Sequence, residues 1–183
     1  MGRVFIVSKV LAIDTSTSRT SVAIIEGESI MFSGYKDGAT AHGPSLPALV
    51  QEALAISDVD EVVVGMGPGP FTGLRVGIAF AHSFALARGI PVRGVCSLDA
   101  IAAQINDKDF IVTVDARRKE VYWARYTDGV RVGEPAVNFP SDVSGAPIHG
   151  DLFPDMQTLV RLPGNIDEPI YLRRPDAVAT VDR

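Results

Sequence analysis

Cys96 is the chain's only cysteine, so no internal disulfide can form, and thiol-poor usage of this kind fits a reducing compartment. An excess of positive charge is missing too. Basic residues number 17 and acidic residues 22, a formal net charge of −5, which leaves no broad electrostatic footprint for nucleic acid. The basic runs Arg117-Arg118-Lys119 and Arg173-Arg174 are short and read as solvated faces, with nucleic-acid contact as the alternative. Long hydrophobic stretches are absent as well. The longest, Val76–Leu86, contains His82 and falls short of the ~20 residues a membrane span needs. Met1–Val7 is too short an apolar stretch for a signal peptide. A cytoplasmic protein without membrane association is the expectation. Histidine is scarce: His42, His82 and His149 are scattered, none in an H-E-x-x-H arrangement, and no Cys/His cluster has zinc-ligand spacing, so no metal site is expected. Without a Gly-x-Ser-x-Gly elbow, a serine hydrolase is unsupported.

Glycine and proline, by contrast, are concentrated in one place. The run GMGPGPFTGLRVG at Gly65–Gly77 follows the apolar strand Glu61–Val64 and opens a long apolar helix. Its glycines let another chain segment or a ligand come close, while Pro68 and Pro70 stiffen the turn. It is not a Walker A loop, because Gly73 is followed by Leu74 and Arg75, and it is not a dinucleotide loop, because position 72 is threonine. A structural strand-to-helix turn and an anion-binding turn both remain open.

The 183 residues suit one large or two small domains and bury roughly 70% of the unfolded chain's surface. Apolar alternation predicts strands at Val10–Asp14, Ser21–Glu26 and Ser29–Tyr35, a meander that puts Asp14 at a strand end. Helical spacing of Leu46, Leu49, Val50, Ala53 and Leu54 predicts a helix from His42 through about Ser57, with Ser45 as its cap. The strand Glu61–Val64, the glycine turn and a helix Thr72–Arg88 ending at Gly89 follow, then a strand Pro91–Val95 and a short helix Leu98–Gln104. A second, smaller unit begins near Asp107. Strands Phe110–Asp115 and Glu120–Tyr126 flank the polar turn Ala116–Lys119, and Asp128-Gly129 marks another turn. Both halves open with a strand ending in aspartate, which suggests an internal duplication. Between Asp142 and Tyr171 four prolines leave only Asp155–Leu162 as a helix candidate.

LAIDTSTSRTSVAI, GMGPGPFTGLRVGIAFAHSFALARGIPV, VDARRKEVYWA and IYLRRPDA together resemble the bacterial TsaB (YeaZ) family along nearly the whole chain. The resemblance implies an α/β actin-like ATPase (ribonuclease-H-like) fold of two lobes with mixed sheets and flanking helices. Residues 1–106 would form the first lobe, with the partner-binding helices, and residues 107–183 a shortened second. It further implies a non-catalytic scaffold for the paralogue TsaD, with the ATPase TsaE as third component, in threonylcarbamoylation of adenosine 37 of tRNAs reading ANN codons. The tRNA is reached through the complex, and the same helices allow a homodimer.

Two substitutions explain the expected loss of catalysis. Where the catalytic relative carries a His-x-x-x-His metal pair this chain has Ser97 and Ile101, and in place of a second glycine-rich phosphate loop it has Asp115-Ala-Arg-Arg-Lys-Glu120. No catalytic residue and no required cofactor are therefore assigned. Asp14, Thr15 and Ser16 keep the groups that face nucleotide phosphates in related ATPases; the same residues also cap tight turns, and ATP or ADP at the interface with TsaD stays open. For the partner interface the candidates are His42, Leu46, Leu49 and Val50, then Gly69, Phe71, Thr72, Gly73, Arg75, Val76, Gly77, Phe80, Ala81 and Phe84. In this reading the small-residue face Gly73-Gly77-Ala81-Ala85 receives a partner helix, so a large residue at Gly77 would abolish the complex and leave the fold mostly intact. Packing of the two helices within the lobe is the alternative. Pro70, where family members commonly have serine, removes a hydroxyl and a donor. The competing functions are a nucleotide-binding or ATP-hydrolysing sugar-kinase-like enzyme and, disfavoured by the missing ligands, a metal-dependent glycoprotease.

Overall fold

In the first sheet a meander of three strands is followed by two helix–strand steps, in the order the apolar punctuation demands. The computed structural model describes residues 8–173, so the Met1–Val7 segment and Arg174 lie outside the described residues. Strands β1 (Lys9–Asp14), β2 (Arg19–Glu26) and β3 (Ser29–Asp37) form an antiparallel meander, and helix α1 (His42–Leu54) leads to β4 (Glu61–Gly65), which pairs parallel with β1. Helix α2 (Phe71–Arg88) carries the chain to β5 (Val92–Val95), parallel to β4, giving the order β3-β2-β1-β4-β5. Both faces of β1 are covered, which is why its Val10–Ile13 stretch is apolar throughout rather than alternating.

Helix α3 (Ser97–Ala102) then links to the second sheet, β6 (Asp109–Asp115), β7 (Val121–Thr127), β8 (Val130–Asn138) and β9 (Ile148–His149), in the order β8-β7-β6-β9. Here too a meander of three antiparallel strands is extended by one parallel strand on the far side of the first. The second sheet therefore repeats four strands of the first in order and direction, as the internal duplication requires. This is the two-lobed α/β arrangement of mixed sheets and flanking helices expected of the actin-like fold.

Helices α1 and α2 cover one face of the first sheet, packing on Leu11, Ile13, Val22, Ile24, Val62 and Val64. On the opposite face Val10, Ala12, Ala23, Ile25 and Val63 meet Ala100 of α3 and Met156 and Leu159 of α4 (Met156–Arg161), whose first turn is capped by Asp155 accepting from the Thr158 amide at 2.7 Å. The other side of α3, Leu98 and Ile101, lies against Phe110, Val112, Tyr122 and Tyr126 of the second sheet, so α3 is shared between the two lobes.

After α4 the chain runs back across both sheets as a strap. Arg93 on β5 donates to the carbonyls of Val160 at 2.8 Å and Leu162 at 2.7 Å. The Ile166 amide donates to the Gly94 carbonyl and the Gly94 amide to Asn165 Oδ1, covering the free edge of β5. Further on, the Ile170 amide donates to the Met66 carbonyl, and Arg173 reaches the turn between β6 and β7.

Two strands escape the sequence pattern. Edge strand β8 holds Gly133 and Pro135 and buries only Pro135 fully, so no alternation marks it, and β9 is two residues long. At α1 the helix begins at His42, three residues before Ser45, and its first turn has no side-chain cap, which corrects the capping role given to Ser45. Cys96 is buried, with its thiol pushed up to about 12 by desolvation.

Candidate functional site

The β1–β2 turn and the glycine turn are built into one another. Asp14 ends β1 at 1% exposure. Its Oδ1 accepts from the Ser16 amide at 2.9 Å and the Ser16 hydroxyl at 2.8 Å, and its Oδ2 from the Ser97 hydroxyl at 2.6 Å. Burial pushes this carboxyl above its ordinary range, against the lowering pull of those hydrogen bonds. Thr15 donates to the Gly73 carbonyl at 2.8 Å and accepts from the Gly77 amide at 3.1 Å.

The glycines fall where this turn presses hardest. A methyl group on Gly65 would strike the Asp14 carboxylate, one on Gly69 the Ser16 backbone, and one on Gly77 the Thr15 hydroxyl. At Gly73 it would come within 2.9 Å of His42 Cδ2. The close approach that the glycines permit is thus made by the chain's own first turn. Asp14, Thr15 and Ser16, the residues offered for nucleotide contact, are brought together and spend their polar groups on one another and on α2.

His42 sits behind the same turn, its Nδ1 2.8 Å from the Thr20 hydroxyl. Burial, and secondly the charge of Arg117, hold its pKa below the ordinary histidine value, so the ring is neutral near pH 7.

The residues offered as a partner surface fall into three groups. His42, Leu46, Leu49, Val50, Gly69, Gly73, Gly77 and Ala81 are buried within the chain. This corrects the small-residue face: Gly73, Gly77, Ala81 and Ala85 point inward because only small side chains let α2 lie close to the Thr15 turn and the sheet. A large residue at Gly77 would therefore damage the fold itself. Phe71, Val76, Phe80 and Phe84 are half-buried, while Thr72 and Arg75 are exposed.

The outward stripe of α2 continues through Ala79, His82, Ser83 and Leu86, which the interface reading missed, although Ala79 and Leu86 stand seven residues apart on one helix face. Leu86 is 85% exposed. Beside this stripe Phe80 and Phe84 stack with ring centroids 6.0 Å apart. Helix α1 adds Pro44, Pro47 and Ala48, with Ala55 and Ile56 just past its end, the latter at 60% exposure. Over their thirteen and eighteen residues α1 and α2 hold only Glu52, Arg75 and Arg88 as ionised side chains. Charged residues are depleted in this way at the cores of protein interfaces relative to the rest of the surface.

Among the described residues no group of three or more His, Cys, Asp or Glu side chains could hold a metal ion, and no helix is long and apolar enough to cross a membrane. Ser97 is taken up by Asp14 and the Gly67 amide, and Ile101 is wholly buried in the core.

A profile described as TsaD, tRNA N6-adenosine threonylcarbamoyltransferase, matches residues 37–153. The chain is 33% identical to tRNA threonylcarbamoyladenosine biosynthesis protein TsaB of Escherichia coli K12, over 64% of its own length and 54% of that protein's. The solved structure of YeaZ from Pseudomonas aeruginosa aligns with a TM-score of 0.70 and 26% identity, over 84% of this chain and 90% of that one. The chain belongs to the family of that profile, among its TsaB (YeaZ) members. A second Pseudomonas aeruginosa structure, described as similar to peptidase YEAZ, aligns with a TM-score of 0.77 and 27% identity, over 91% of this chain and all of that one. This TsaB-family chain is also 46% identical to an uncharacterized protein of Mycobacterium tuberculosis H37Rv, over 97% of both, whereas it spans little more than half of Escherichia coli TsaB.

Proposed function

We propose that this chain is a scaffold subunit in threonylcarbamoyladenosine formation on tRNA, acting in the cytoplasm on adenosine 37 of tRNAs that read ANN codons. It docks the outward face of α1 and α2 on the paralogous catalytic subunit TsaD, with TsaE as the third component. The observation that carries the reading is the exposed, nearly uncharged face running from Pro44 and Pro47 across to Ala79 and Leu86. Covering it recovers about 25 cal/mol for each Å² of apolar surface removed from water. Differential packing against two states of TsaD would then shift that partner toward its active state.

A non-catalytic role is supported by Ser97 and Ile101, which have packing and hydrogen-bonding duties and offer no imidazole. It is supported also by the Asp115–Glu120 turn, where cationic side chains stand in place of glycine. ATP or ADP, if it enters, belongs at the contact with TsaD, since Asp14, Thr15 and Ser16 are occupied internally. The test is light scattering coupled to size-exclusion chromatography on this chain mixed with TsaD of the same organism. A one-to-one species lost in Leu86→Glu supports the reading; separate elution of the two wild-type chains defeats it, and self-association of this chain would show that a second copy covers the face instead.

A further inference from the structure

The turn from β6 to β7 adopts a costly backbone. Arg117, Arg118 and Lys119 have φ values of 64°, 55° and 63°, three consecutive left-handed residues where glycine would avoid the steric penalty. The turn is closed by the Ala116 amide on the Glu120 carbonyl and by Asp115 Oδ1 accepting from the Arg117 amide at 2.9 Å. Turn chemistry alone would favour Gly or Asn at these positions, yet the sequence places three cations there. The strap adds a fourth from far along the chain: Arg173 donates from Nη1 to the Ala116 carbonyl at 2.8 Å and pairs with Glu120. Arg173 thus meets the Arg117–Lys119 run at one point, with Asp115 and Glu120 as acidic neighbours, in a chain whose net charge is −5.

Between this cluster and the glycine turn lies a pocket of about 100 Å³, lined by Phe71, Tyr171 and the buried Tyr122. The Phe71 and Tyr171 rings are 5.1 Å apart. It is large enough for a phosphate group and too small to enclose a nucleotide. Cations beside aromatic faces are the pairing that holds a phosphodiester while an adjacent base stacks.

From this juxtaposition we infer that the inter-lobe pocket is a contact site for the tRNA backbone, seating one phosphodiester against Arg117, Arg118 and Arg173 with a neighbouring base on the aromatic rim. The inference rests on the scaffold reading for the identity of the RNA.

The test is fluorescence-anisotropy titration of an unmodified tRNA transcript, across a series of salt concentrations, with the TsaD complex of the wild-type chain and of Arg117→Glu/Arg118→Glu. About tenfold weaker binding, and a log–log salt slope shallower by about 0.7 for one lost single-strand phosphate contact, with complex formation and melting temperature unchanged, is the expected result. A second variant, Arg117→Gly/Arg118→Gly/Lys119→Gly, removes the charge in a backbone conformation glycine accepts and should reproduce the loss. Unchanged tRNA affinity in an intact complex overturns the inference and leaves the scaffold reading standing. Loss of inorganic phosphate or ATP binding without loss of tRNA binding also overturns it, in favour of a small-anion site. If the wild-type chain does not join TsaD, the scaffold reading fails, and the same titration on the chain alone decides the site.

Discussion

The hydroxyl of Thr15 is clasped by α2, with the Gly77 amide donating to it at 3.1 Å while it donates to the Gly73 carbonyl at 2.8 Å. This relationship decides what the glycine-rich helix face is for. It is the seat of the β1–β2 turn, so the residues that read as an interface stripe are internal, and the free face lies on the other side of the helix.

Gly77→Ala should therefore destabilise the isolated chain by about 1–3 kcal/mol through overpacking, and Gly77→Leu should prevent normal folding. Thr15→Val, which keeps the shape but leaves buried backbone groups short of a partner, should cost about 1–3 kcal/mol. Thermal melts followed by circular dichroism check both. Wild-type stability in Gly77→Leu would show that α2 does not sit on the turn.

Leu86→Glu and Ala79→Glu should behave in the opposite way. Both positions are exposed, so the melting temperature should stay within the small range of surface substitutions. Binding to TsaD should weaken by about 2 kcal/mol or more, as for a central interface residue, which is roughly thirtyfold in Kd. Isothermal titration calorimetry reads the difference.

His42 predicts a pH dependence. Its folded pKa lies below 6.5 because burial and Arg117 disfavour the imidazolium. The unfolded chain then binds more protons than the folded one in the window just below pH 6.5, so stability contributed by the neutral ring is full above 6.5 and is lost as pH falls below it. Melting temperature should drop between about pH 7 and about pH 5 in the wild type and drop less in His42→Gln. Arg117→Gln should raise the His42 pKa, observable as a shifted imidazole titration by NMR. A flat wild-type profile across that window would contradict the assignment.

The strap makes a local prediction. Arg93→Ala removes charged donors from the carbonyls of Val160 and Leu162 and should cost about 1–2 kcal/mol, the partial exposure of this side chain limiting the effect. Amide exchange at Gly94, Ile166 and Ile170 should accelerate before exchange in β1 and β4 does. Uniform acceleration across the sheet would mean that the strap has no independent role.

Much of the fold was legible because its signals are local. Buried β1 and β4 are continuous apolar runs, Gly89 stops α2, and the aspartates at the ends of β1 and β6 mark equivalent turns in the two halves. β8 was not legible, since Gly133 and Pro135 interrupt an edge strand whose burial carries no period. The site was half legible. The spacing of Gly73, Gly77, Ala81 and Ala85 says that something comes close to that face, but only the three-dimensional path of the chain says that the something is Thr15. Ala79 and Leu86 carried the missing signal, an apolar i, i+7 pair outside the small-residue stripe, and a helix that is apolar nearly all round conceals such pairs. Arg173 stands out in the sequence as basic, but nothing there pairs it with the distant Arg117–Lys119 run; its meeting with Ala116 and Glu120 comes from the strap.

The central claim is that the outward face of α1 and α2 binds TsaD, and mass measurement by light scattering on the co-eluted pair tests it most directly. The account predicts a one-to-one complex for the wild-type chain and two separate peaks for Leu86→Glu, both with unchanged circular dichroism. A complex that forms equally well with Leu86→Glu and Ala79→Glu, or none with the wild type, would contradict it.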